Sequence, residues 1–143
     1  MSVIKTQQIL QTVSVTAGED LEYKNRFVTP AGIYPGSVGA VVLGVLQEKI
    51  YEGSQAPIAT YGIAIVEAGD GITAGQPVVT DADGKAIAAT DFSATTPTGA
   101  VAVLSTGAQP EMALAGSVLP ETIIGYALDT AAEDGDLIRV KLI

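Results

Sequence analysis

Apolar and polar residues alternate at the end of this chain, where Arg139 and Lys141 separate Ile138, Val140 and Leu142. That is the period-two pattern of a strand with one buried face. An acidic turn, Glu133-Asp-Gly-Asp136, precedes it, and the stretch ending in Ala127 and Leu128 predicts a second strand. Thr12-Val-Ser-Val-Thr16 alternates in the same way, and Ala17-Gly-Glu-Asp20 then reads as a turn. From Leu21 to Val28 the charges Glu22, Lys24 and Arg26 alternate with Tyr23, Asn25 and Phe27, which predicts a half-solvated strand.

Longer apolar runs occupy the middle. Val38 to Leu46 is nearly continuous, and its valines and Gly44 favour a buried strand over a helix. Ile58 to Val66 predicts another strand, closed by a turn over Glu67 to Gly71. Gly75 to Thr80, the Asp-Ala-Asp-Gly turn at Asp81 to Gly84, and Lys85 to Ala89 together predict a β-hairpin, since Asp-Gly tolerates positive φ. Pro30 and Pro35 bracket a loop, and Gln47 to Gln55 is polar enough for a protruding one. Ala100 to Leu104 predicts a short strand, and Pro110 to Ala115 predicts a helix with proline at its first position.

Strands at roughly ten-residue spacing with turn signals between them predict a mainly β fold. We expect a small barrel or sandwich with many tight turns and at most one or two short helices. The 143 residues suit one domain. Residues 1–20 are expected to form an N-terminal strand or an extended arm, with a single β-rich domain over 21–143.

Composition narrows the chemistry. With no cysteine and no histidine, a Ser-His-Asp triad, a Cys-His dyad and zinc catalysis are not expected within one chain. Apolar residues make up 48% of the chain but aromatics only 5%, which suits thin β layers better than a pocket lined by large side chains. A net charge of −9 repels a phosphate backbone, so direct nucleic-acid binding is not expected. The start of the chain lacks the pattern of a signal peptide, and every apolar run is interrupted before the ~20 residues of a membrane span.

Six features invite a chemical reading, and a structural one fits each better. Asp81-Ala-Asp-Gly84 resembles the opening of a calcium loop but lacks its further oxygen ligands and distal Glu. The Glu67/Asp70 and Glu133/Asp134/Asp136 clusters fall in turns rather than across a cleft. Gly69 to Gly75 lacks the Gly-Lys-Ser/Thr ending of a phosphate loop, and Ser37 is not in a nucleophile elbow. Lys85, beside the hairpin turn, is faintly similar to the modified lysine of lipoyl and biotinyl carrier domains. An extra glycine intervenes there, and the chain is much longer than such a domain. No catalytic residue, cofactor or metal ligand is therefore assigned.

Three stretches carry a family resemblance in their order and spacing: Arg26-Phe-Val-Thr29 with Val42-Leu-Gly-Val45, Ala59 to Lys85, and Gly125 to Leu142. Together they resemble the capsid decoration, or cement, proteins of tailed bacteriophages. The resemblance implies a structural, non-enzymatic subunit that binds the major capsid protein on the outer surface of an icosahedral shell. It implies a homo-oligomer, with a trimer favoured, and stabilisation of the expanded head. The expected location is the virion, after synthesis in the host cytoplasm, with no membrane and no nucleic-acid partner. The family's N-terminal segment often reaches onto the capsid protein. By alternation and position, Val3, Ile4, Ile9, Leu10, Val13 and Val15 are the candidate capsid or oligomer contacts, with the subunit's own core as the other reading of the same strip. A β-rich adhesion or receptor-binding module is the alternative, with a carrier domain a more remote one.

Overall fold

The computed structural model describes residues 5–90 and 121–143. Among the described residues there are eight strands and no helix: β1 (Gln8–Thr16), β2 (Phe27–Val28), β3 (Gly44–Leu46), β4 (Gln55–Glu67), β5 (Pro77–Thr80), β6 (Ala86–Ala88), β7 (Gly125–Ala127) and β8 (Leu137–Leu142). They form one antiparallel sheet in the order β2-β3-β4-β8-β7-β5-β6, with β1 also paired to β4. The predicted strand at Ala100 to Leu104 and helix at Pro110 to Ala115 lie outside the described residues, as do Val3 and Ile4.

β4 is the spine. Its residues from Gln55 to Ile63 pair with β1, Ile58 and Ala59 pair with β3, and Gly62 to Glu67 pair with β8. The sheet then curls until its two edges meet. The Phe27 amide on edge strand β2 donates to the Gly84 carbonyl in the β5–β6 turn at 2.7 Å. The Gly69 amide, just past β4, donates to Ala86 on the other edge strand at 2.8 Å. These bonds nearly close the sheet into the small barrel that the turn-rich pattern predicts, and they satisfy groups that an open edge would leave bare.

Two apolar cores share one wall. Phe27, Val45 and Ala59 point into the barrel with Val66, Ile138 and Val140. Their chain neighbours Val28, Leu46 and Ile58 point the opposite way, into a second cluster with Ala17, Leu21 and Ala56. Successive strand residues face opposite sides, so a wall buried on both faces must read as an unbroken apolar run. Val45-Leu46 and Ile58-Ala59 do so for this reason. The cover over the second cluster is the bridged pair of segments around Leu21 and Ile50.

Two expectations need correction. The run from Val38 to Leu46 is a strand only over Gly44–Leu46, and Val38 and Val41 are 57% and 64% exposed. The amides of Gly36 and Gly39 reach the Ala82 and Thr80 carbonyls, so this stretch first crosses the β5–β6 turn. Likewise, of the Leu21–Val28 stretch only Phe27–Val28 is strand, and Leu21 makes a single bridge to Ile50. Asn25 adopts a φ of 63° between them, which breaks the alternation. The hairpin over residues 75–89 and the two C-terminal strands form as the sequence predicts.

Candidate docking surface

β1 presents two different faces. Ile9 packs against the barrel core, and Val13 and Val15 pack against the second cluster; all three are half-buried. Leu10 is 65% exposed. It is set apart by an irregularity in the ladder: Ile9 lies opposite Gly62 and Gln11 opposite Tyr61, so Leu10 is the extra residue of a β-bulge. Gly62 has a φ of +112°, and a Cβ there would sit 2.4 Å from the Gln8 carbonyl oxygen. Only glycine permits that approach. Of the candidate contacts that are described, the fold gathers Ile9, Val13 and Val15 inward and turns Leu10 outward.

Leu10 does not stand alone. Gln8, Leu10, Tyr61, Ile63 and Lys141 line one shallow groove of about 180 Å³ on the outside of the sheet. The register continues the surface across four strands, from Gln8 to Ile63 to Lys141 to Tyr126. Tyr61 and Tyr126 are 50% and 43% exposed. These two tyrosines and Lys141 are residues that the sequence reading did not single out. The alternation of β8 placed Lys141 on an outer face, but the partners across the sheet are not visible in one strand's pattern.

The charges around this face are mostly positive. Lys141 makes no ion pair among the described residues. Lys5 donates from Nζ to the Leu137 carbonyl beside it. Arg139 forms a two-pronged pair with Asp129, Nε to Oδ2 and Nη2 to Oδ1, each at 3.0 Å. Those hydrogen bonds hold the Asp129 carboxyl below the usual aspartate range and raise the guanidinium further. The cover over the second cluster is the reverse, carrying Glu19, Asp20, Glu22, Glu48 and Glu52 against Lys24 and Lys49.

The remaining charged clusters hold the fold together. Glu67 accepts from Arg26 Nε at 3.0 Å, with Lys85 Nζ at 3.8 Å, and Lys85 also donates to Asp134 at 2.9 Å. The bond to Asp134 raises the Lys85 pKa, which keeps the amine charged. Asp81 Oδ1 accepts from the amides of Asp83 and Lys85, so its carboxylate caps the hairpin turn. The Tyr34 hydroxyl donates to the Tyr23 carbonyl and accepts from the Tyr23 amide, and burial raises its pKa. Among the described residues, no group of three or more acidic side chains is arranged to hold a metal ion. No helix among them is long and apolar enough to cross a membrane.

In comparison with known families, residues 4–142 match the family described as phage cement protein. No curated protein matches the chain.

Proposed function

The chain belongs to the phage cement protein family, and on that premise we propose that it binds the outer surface of an icosahedral phage head and stabilises the expanded shell. Membership makes it a structural protein associated with the phage capsid, consistent with a sequence that has no histidine or cysteine. The observation that carries the finer reading is the extent of the match, which takes in every strand of the barrel.

The partner in this reading is the major capsid protein, and the working form is a homo-oligomer, with a trimer favoured. Several copies joined together make the second and later shell contacts intramolecular, so weak individual contacts suffice. The N-terminal segment from Val3 to Val15 supplies contacts to the shell or to neighbouring subunits. Leu10 is the described residue best exposed for that role. Such a protein would be made in the host cytoplasm and end on the virion surface.

Cosedimentation of the purified protein with expanded, undecorated capsids tests this directly. Saturable binding at a fixed ratio to the major capsid subunit is the expected result. No binding, together with a monomeric mass by light scattering, would leave the family fold in place and favour an adhesion module instead.

A further inference from the structure

We infer that subunits of this protein join head to tail, the apolar and cationic face around Leu10, Tyr61 and Lys141 of one copy seating on the acidic cover around Glu22 and Glu52 of the next. This rests on the homo-oligomer proposed above and specifies its contact.

The first argument is the character of the face. Leu10, Tyr61 and Tyr126 offer exposed apolar surface on regular, paired strands. Arg139 and Lys141 flank it on β8, Lys5 bonds to the Leu137 carbonyl at the far end of that strand, and the carboxylates alongside, Asp129 and Glu67, are each already paired. A net positive, partly aromatic patch on a chain of net charge −9 is where another copy can approach without repulsion.

The second argument is the matching surface. Glu19 to Tyr23 and Glu48 to Gly53 are held side by side by the mutual amide–carbonyl bonds of Leu21 and Ile50, at 2.7 and 3.0 Å. The Glu52 amide donates to Asp20 there at 2.9 Å, which fixes the turn. This cover carries five carboxylates and two lysines, and none of those seven groups forms an ion pair among the described residues. Tyr23 and Tyr51 stand exposed among them, the Arg26 guanidinium lying 4.2 Å over the first ring and the Lys49 amine 5.4 Å over the second. The unpaired carboxylates of this cover complement the unpaired cations of the face.

The third argument is that the two surfaces are unlike: the face is built on the paired strands β1, β4, β8 and β7, and the cover on the bridged segments around Leu21 and Ile50. A contact between unlike surfaces of identical subunits is heterologous, and it closes into a ring when the rotation allows.

Sedimentation velocity on the full chain tests the contact. Four proteins are compared at low and high salt: the native chain, Lys141→Glu, Glu22→Lys/Glu52→Lys, and the variant combining all three changes. All the altered side chains are exposed, and circular dichroism with thermal melting verifies each fold. The native chain should be oligomeric and weakened by salt. Each charge reversal should weaken association by at least about tenfold, and the combined variant should recover part of the loss. A monomeric native chain would overturn the inference, as would an oligomer that neither reversal weakens. Sensitivity to Lys141→Glu alone would also overturn it, since that describes a face packing on itself. Cosedimentation with undecorated capsids is run in parallel. Failure of the oligomeric native chain to bind shells would overturn the cement reading while leaving the subunit contact standing.

Discussion

The Phe27 amide donates to the Gly84 carbonyl at 2.7 Å, joining the two edges of the sheet through the β5–β6 turn. Gly84 has a φ of +84°, and a Cβ on it would lie 2.6 Å from the Phe27 carbonyl oxygen. Gly84→Ala therefore meets both a left-handed backbone and a clash with main chain. Gly53 has nearly the same φ, +85°, with open space around it. We expect Gly84→Ala to cost ~2–4 kcal/mol and Gly53→Ala only about 1 kcal/mol. Urea denaturation of the two variants measures the difference. Equal losses would mean that the seam contributes nothing beyond the turn's own backbone preference.

Glu67 sits between Arg26 and Lys85 beside the same seam, with all three side chains largely covered. Glu67→Gln removes the anion and leaves two cations facing each other. The expected loss is about 1–2 kcal/mol at low salt, shrinking as salt screens the repulsion. Thermal melts of both proteins at two ionic strengths provide the reading. A loss independent of salt would assign the effect to packing instead.

Asp129 has its carboxyl held below the ordinary aspartate value by the Arg139 hydrogen bonds. A carboxylate whose folded pKa is depressed stabilises the fold above its unfolded value, near pH 4, and loses that contribution as pH falls through the folded value. The native chain should therefore be more stable than Asp129→Asn at neutral pH, and the two should converge below about pH 4. Melting temperatures from pH 7 to pH 2 give the comparison. A gap that persists in acid would show that the hydrogen bonds matter without the charge. Lys85 behaves in the opposite sense. Its raised pKa supplies stability that is present below the ordinary lysine value and is lost as pH rises through the raised one.

The parts of the fold legible in the sequence were those with a single exposed face or a diagnostic turn. Ile138, Val140 and Leu142 alternate because β8 has the barrel core on one side and an open surface on the other. Asp83-Gly84 announced its hairpin through turn chemistry that needs no tertiary context. The long apolar run misled because continuity has two sources. At Val45-Leu46 it marks a wall between two cores, whereas at Val38 to Val42 it marks chain crossing the β5–β6 turn. Composition alone cannot separate them. The candidate face was legible only in pieces. Leu10 was visible, but its neighbours Tyr61, Lys141 and Tyr126 come from three other strands and meet it only through register.

The two faces of β1 should separate stability from association. Val13 packs against the second core cluster, whereas Leu10, one bulge away, points outward at 65% exposure. Val13→Ser is expected to cost ~1–2 kcal/mol through lost apolar burial. Leu10→Ser should stay within about 0.5 kcal/mol of the native chain, since truncating an exposed side chain removes few contacts. Leu10→Ser should nonetheless weaken oligomer formation or capsid cosedimentation, and folded Val13→Ser should retain both. Removing residues 2–16 outright would be a poorer test, because it also strips β4 of its partner from Gln55 to Ile63. Point variants keep that ladder intact. If Leu10→Ser associated and bound shells as the native chain does, the outward face of β1 would have no part in either contact, and the N-terminal segment would serve this protein as an ordinary strand.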